Sequence, residues 1–172
     1  MASFEIHGGK PLKGELTPQG AKNEALQVLC APLLTAEKVT ISNIPDIIDV
    51  NKLIALMQAM GVKVEKVEKG TYIFQAKDIN IDYLQSEDFK IRASSLRGSV
   101  MIVGPLLARF GVGYLPKPGG DKIGRRRLDT HFTGMMSLGA KFNYDAGEHF
   151  YAVEGKNLKG AYIHMDEASV TG

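Results

Sequence analysis

The sequence predicts an α/β domain of repeated helix–strand–helix–strand–strand units, with helices packed inside a ring of small sheets. Internal matches carry that expectation. "MGVKV" at 60–64 returns as "LGAKF" at 138–142, and "TYIFQA" at 71–76 returns as "HFYAVE" at 149–154, both 78 positions on. Upstream, "CAPLL" at 30–34 returns as "VGPLL" at 103–107 after 73 positions, so one link differs in length by five residues. "GKPLKGEL" at 9–16 returns as "GKNLKGAY" at 155–162, which reads as the start of another unit. A period near 78 is too long for the common solenoid repeats and fits a duplicated supersecondary unit. A generic two-layer α/β domain is the alternative that periodicity leaves open.

Each element has a local reason. Residues 21–34 are apolar on nearly every face and predict a buried helix, with Pro32 near its end. Pro105 takes the matching place in a helix from about Arg97 to Arg109. A proline there removes one amide donor and should kink or end the helix. "VTISNI" at 39–44 is rich in β-branched residues and reads as a strand. Asp46 is then expected to cap a helix that carries Ile47, Val50, Ile54 and Met57 at three- and four-residue steps and stops at Gly61. "VKVEKVE" and "TYIFQA" flank Lys69-Gly70 as a hairpin. In the second copy "VGYLP" is the strand, Asp129 to Leu138 the helix, Gly139 its stop, and "AKFNYD" with "HFYAVE" the hairpin.

Composition narrows the function classes. The 172 residues suit one domain, or one and a part. With 21 basic against 19 acidic side chains the net charge is +2, too balanced to indicate a nucleic-acid binder on its own. No apolar run reaches the roughly 18 residues of a membrane span. The start "MASFEIHGGK" lacks the basic and apolar regions of a secretory signal. The single cysteine, Cys30, excludes an internal disulfide and sits in an apolar run, where a buried, inert thiol is expected. Together these features predict a cytoplasmic protein.

Three motifs point to chemistry. "PGGDKIGRRRLDTH" at 118–131 joins a strand to a helix and sets Arg125, Arg126 and Arg127 before the helix start. Arginine forks match phosphate oxygens, and a helix start favours anions, so the stretch reads as a loop closing on a phosphorylated ligand. A solvated basic loop is the alternative. Nucleic acid fits less well, because no aromatic stacking pattern accompanies the arginines. "QGAKNEAL" at 19–26 places Lys22 and Asn23 in a first helical turn, where the dipole disfavours a cation unless a bound anion reverses the sign. Arg97 opens "RGSVMIVGPLL" under the same objection, so the two cations are expected to point into one cleft.

Other sites are not supported. Gly119 and Gly124 have P-loop spacing, but Arg125-Arg126 follow where Lys and Ser/Thr are needed. Gly111-x-Gly113 lacks the third glycine of a dinucleotide fingerprint. His7, His131, His149 and His164 are scattered and give no metal spacing.

Taken together, "LKGEL", "GAKNEAL", "GPLLARFG", "PGGDKIGRRRLDTH", "SLGAKF" and "MDEASVTG" resemble the enolpyruvyl transferases along the whole chain. Within that family they resemble the branch acting on UDP-N-acetylglucosamine in peptidoglycan synthesis. The 3-phosphoshikimate branch shares the fold but opens its first helix with a Ser-Lys-Ser type of start.

The resemblance implies two inside-out α/β barrel-like domains of three repeated units each. Residues 1–20 would then belong with a second domain, and 21–172 would form two units and the start of a third. It implies transfer of the enolpyruvyl group of phosphoenolpyruvate to the 3-hydroxyl of UDP-N-acetylglucosamine, with release of phosphate and without metal or organic cofactor.

Lys22 would bind phosphoenolpyruvate, Asn23 the sugar substrate, Arg97 the nucleotide sugar and Arg126 phosphate. Arg127, Leu128, Asp129, Thr130 and His131 would line the UDP site. Glu167, Ala168, Ser169 and Val170 would approach the uridine and diphosphate. Two positions depart from the family pattern. Arg127 stands where proline is common, and Asp121 stands where the loop's proton donor is a cysteine, the residue that the epoxide fosfomycin alkylates. The family chains are more than twice this long. Their second half supplies the aspartate acting on the sugar hydroxyl, so this chain alone is expected not to turn over.

Overall fold

Two three-stranded antiparallel sheets organise the chain. The structure, a computed structural model, describes residues 3–116, 128–145 and 150–164. In the first unit, α1 (Lys22–Val28) leads through a 3-10 segment (Ala31–Leu34) to β1 (Lys38–Ile41), α2 (Ile48–Ala59), β2 (Lys63–Glu68) and β3 (Thr71–Gln75). A 3-10 turn (Asp82–Gln85) and α3 (Glu87–Ser94) link the units. In the second, a 3-10 segment (Arg97–Ile102) runs into α4 (Val103–Phe110), then β4 (Val112–Pro116), α5 (Asp129–Ser137), β5 (Lys141–Asp145) and β6 (Phe150–Glu154). The strand orders, β1-β3-β2 and β4-β6-β5, are equivalent. The unit expected from the repeat is thus present twice.

The two prolines act differently. A continuous helix over 21–34 would need the Pro32 nitrogen to donate to Val28. Proline has no such donor, and α1 ends at Val28 while Pro32 opens the 3-10 segment. The expected helix from Arg97 to Arg109 is likewise two pieces. Pro105 falls in the first turn of α4, where amides need no intrahelical partner, so it is tolerated. Asp46 does not cap α2. Ile47 is the residue before that helix and makes no side-chain cap, while Asp46 Oδ1 accepts a 2.8 Å hydrogen bond from Asn51 Nδ2.

The second hairpin differs from the first by one residue. Lys63 pairs with Gln75 and Val64 with Phe74, whereas Lys141 pairs with Glu154 and Phe142 with Val153. The third strand of each unit therefore corresponds at 79 positions, not 78. Phe74 and Val153, 0% and 1% exposed, are the equivalent core residues. The sequence match had set Phe74 against Ala152, which alternation sends to the other face. Gly61 and Gly139 do keep the 78-residue spacing. At φ +102° and +101° they follow α2 and α5 in a conformation that side chains rarely adopt.

Helices form the interior. Of the twelve largest fully buried side chains among the described residues, only Phe74 and Leu115 come from strands. α2 alone buries Val50, Leu53, Ile54, Leu56 and Met57. A second, smaller cluster joins Val100, Val103 and Leu107 to Leu115, Ala140 and Val153. Helices inside and sheets outside give the inside-out arrangement.

One side chain ties the units together. Arg109 Nη1, near the end of α4, donates to the carbonyl oxygens of Leu33 (3.1 Å), Thr35 (2.8 Å) and Ala76 (2.7 Å). Among the described residues no helix is long and apolar enough to cross a membrane.

Candidate substrate site

The site is built where helices of the two units pack together. α1 packs against α2 and against the Arg97–Ile102 segment, and α2 packs against that segment too. Gly20 opens the first of these helices because its backbone runs against the Asn43 carbonyl oxygen, leaving no room for a Cβ. Asn43 itself adopts φ +57°, a left-handed geometry that asparagine tolerates. The helix that follows turns Ala25 and Leu26 into the core and leaves Lys22 and Asn23 exposed.

Lys22 has a partner that sequence reasoning missed. Its Nζ lies 3.2 Å from Asp49 Oδ2, with side chains 47% and 37% exposed. Asp49 stands in the first turn of α2, where the dipole favours an acid. The misfit of a lysine at a helix start is therefore answered within the chain. A first-turn acid in a predicted helix was the available signal, but attention went to Asp46 as the cap. Lys22, Asp46, Ile47, Ile48, Asp49 and Asn51 line an open groove of about 640 Å³.

Arg97 is half-buried and sits beside α5. Gly98 is held against α1, since a Cβ there would lie 3.1 Å from a Leu26 methyl. Lys52 on α2 reaches the Ser95 carbonyl at 3.5 Å, which keeps α2 against the start of the same segment. His131, in the first turn of α5, is half-buried. Burial and, second, the Arg97 charge hold its pKa below the ordinary imidazole value. A neutral imidazole beside a guanidinium suits a polar, anionic ligand, because the ring can donate or accept while the arginine carries the charge.

The remaining sequence candidates divide cleanly. Leu128 packs against the second core cluster, Asp129 is exposed and Thr130 is buried at 7% exposure. Asp121, Arg126, Arg127, Glu167, Ala168, Ser169 and Val170 lie outside the described residues. The two expected cations stand on packed elements with different neighbours, Lys22 on Asp49 and Arg97 beside His131. Among the described residues no group of three or more His, Cys, Asp and Glu could hold a metal. Cys30 is buried, its thiol donates to the Leu26 carbonyl at 3.3 Å, and burial pushes its pKa up to about 12. It offers no thiolate for nucleophilic chemistry.

Comparison with known proteins gives the family. Over all 172 residues the chain is 59% identical to a protein of Bacteroides thetaiotaomicron named UDP-N-acetylglucosamine 1-carboxyvinyltransferase. It is 55% identical, again over 172 residues, to a protein of the same name from Porphyromonas gingivalis. The chain spans 40% of the length of each. The crystal structure of the enolpyruvyl transferase NikO from Streptomyces tendae has the same fold, with TM-score 0.67 at 23% identity over 89% of this chain and 32% of that one. So does an EPSP synthase from Acinetobacter baumannii, with TM-score 0.57 at 14% identity over 95% of this chain and 37% of that one. The family model for EPSP synthase (3-phosphoshikimate 1-carboxyvinyltransferase) matches residues 6–172, and the chain belongs to that family.

Proposed function

We propose that these residues form the substrate-gripping part of an enolpyruvyl transferase that acts on UDP-N-acetylglucosamine, in the cytoplasm, at the first committed step of peptidoglycan synthesis. The observation that carries the reading is the packing of α1, with Lys22 and Asn23, against the segment of Arg97, whose charge reaches His131, in a chain that matches proteins of that name over all its 172 residues. Lys22 and Arg126 hold the phosphate of phosphoenolpyruvate. Asn23, Arg97 and the run from Arg127 to His131, with residues 167–170, hold the nucleotide sugar. The sugar 3-hydroxyl gives up its proton to a base and adds to the enol carbon while a proton goes to the methylene carbon; phosphate then leaves as the new methyl group loses a proton and the double bond returns. No metal or organic cofactor takes part.

Asp121 is the proposed donor of that proton. An unperturbed aspartate, with pKa near ~3.9, is protonated only about one part in a thousand at neutral pH. Desolvation by a bound substrate and repulsion from its phosphate and carboxylate raise that value. Carboxylates are far weaker nucleophiles than thiolates toward an epoxide, and the one thiol of the chain is the buried Cys30. Fosfomycin is therefore expected not to inactivate the enzyme.

The residues from Ser3 to Gly20 belong to the same reading. They hold no helix or strand, and Phe4, Ile6, Leu12 and Leu16 are 94%, 88%, 98% and 90% exposed. Such apolar side chains fit a segment covered by a second domain, supplied by the further length that the relatives have.

A chimera tests the function. Residues 1–172 are joined to the part of the Bacteroides thetaiotaomicron relative beyond the matched segment, and phosphate release from phosphoenolpyruvate is followed. Release is expected with UDP-N-acetylglucosamine and not with shikimate 3-phosphate. The 172 residues alone are expected to release none, since an acid without its opposing base completes no transfer. Asp121→Asn should nearly abolish release, and Asp121→Cys should confer time-dependent inactivation by fosfomycin. Release with shikimate 3-phosphate alone, or a fully active Asn variant, refutes the reading.

A further inference from the structure

We propose that Asp49 is a positioning residue, which holds the Lys22 ammonium in the empty site and competes with any anion arriving there. The inference rests on the reading of Lys22 as an anion contact. Its basis is the groove itself. Lys22 and Asp49 face each other across 3.2 Å with both side chains partly exposed, so solvent and ligands reach the pair. The groove holds two carboxylates, Asp46 and Asp49, against the one ammonium of Lys22. Asp46 is engaged by Asn51 at 2.8 Å, which leaves Asp49 as the carboxylate paired with Lys22.

An anion that binds Lys22 exchanges one carboxylate for another negative group on the same ammonium. Free phosphate gains little by that exchange and meets a lining that, among the described residues, is negative in sum. A ligand gains only if other parts of it make further contacts at the same time. Asp49 thus weakens bare phosphate, the product of the proposed reaction, and phosphoenolpyruvate alike, so that only a ligand with further contacts binds well. Partly exposed pairs of this kind shift affinity by up to about fivefold.

The test is an NMR titration of the full 172-residue chain with inorganic phosphate and, separately, with phosphoenolpyruvate, following the backbone amides of Lys22 and Asp49. Asp49→Asn keeps an oxygen that can accept from Lys22 but removes the competing charge. It is expected to lower the Kd for phosphate and for phosphoenolpyruvate alike, about two- to fivefold. Asp49→Glu should keep the wild-type values, and Lys22→Ala together with Asp49→Asn should erase the gain. A phosphate Kd that is unchanged or higher in Asp49→Asn, while Lys22→Ala still weakens binding, overturns the proposal and leaves the role of Lys22 standing. No response at Lys22 to either anion, with Lys22→Ala unchanged, overturns that role and the proposal with it.

Discussion

His131 joins the packing of the site to its chemistry. Burial is the larger cause of its lowered pKa and the Arg97 charge the second, so removal of that charge should move the titration part of the way back. An NMR titration of the imidazole is expected to give a midpoint below ~6.5, and Arg97→Gln should raise it without reaching that value. The sign for stability follows. With the folded pKa below the unfolded one, the contribution of His131 is fully present above about 6.5 and is lost as pH falls through the folded value. A midpoint at or above ~6.5 in the native chain would show that the ring is neither buried nor beside Arg97.

Arg109 is the test at the scale of elements. Its three carbonyl acceptors lie at the end of the first unit's 3-10 segment and just after β3, so it fastens α4 to the neighbouring unit. Charged donors to backbone oxygens contribute about 1.5–3 kcal/mol, and Arg109→Ala should cost about that much as a lower urea midpoint with an unchanged slope. Arg109→Lys should recover only part, because a single ammonium does not reproduce the planar fork. An Ala variant as stable as wild type would remove this link from the account.

The repeat made most of the elements legible in the sequence, because glycine stops recur at 78 positions and hairpin strands at 78 or 79. The alternation of side chains across a strand was not visible at the same resolution, so the second hairpin was aligned one residue out. α3 went unread altogether, although Ser86 accepts from the Phe89 amide at 3.2 Å and Glu87 and Asp88 open the helix as the dipole prefers. Its mixed composition gave no clean apolar stripe. Within the candidate site, Lys22 and Arg97 were singled out by their misfit to the helix dipole. Asp49 was not, because its place in a first helical turn marks an acid but not the partner 27 positions away.

At the scale of the whole molecule, the helices of two inside-out units pack together, and the N-terminal apolar residues are left uncovered. The central claim is that this arrangement grips a nucleotide sugar. Calorimetric titration of the 172-residue chain with UDP-N-acetylglucosamine, with phosphoenolpyruvate absent and then present, tests it directly. The account predicts saturable heat, weakened about tenfold to a hundredfold by Arg97→Ala, and none with shikimate 3-phosphate. No heat with UDP-N-acetylglucosamine under either condition, or equal affinity in the Arg97 variant, would contradict it.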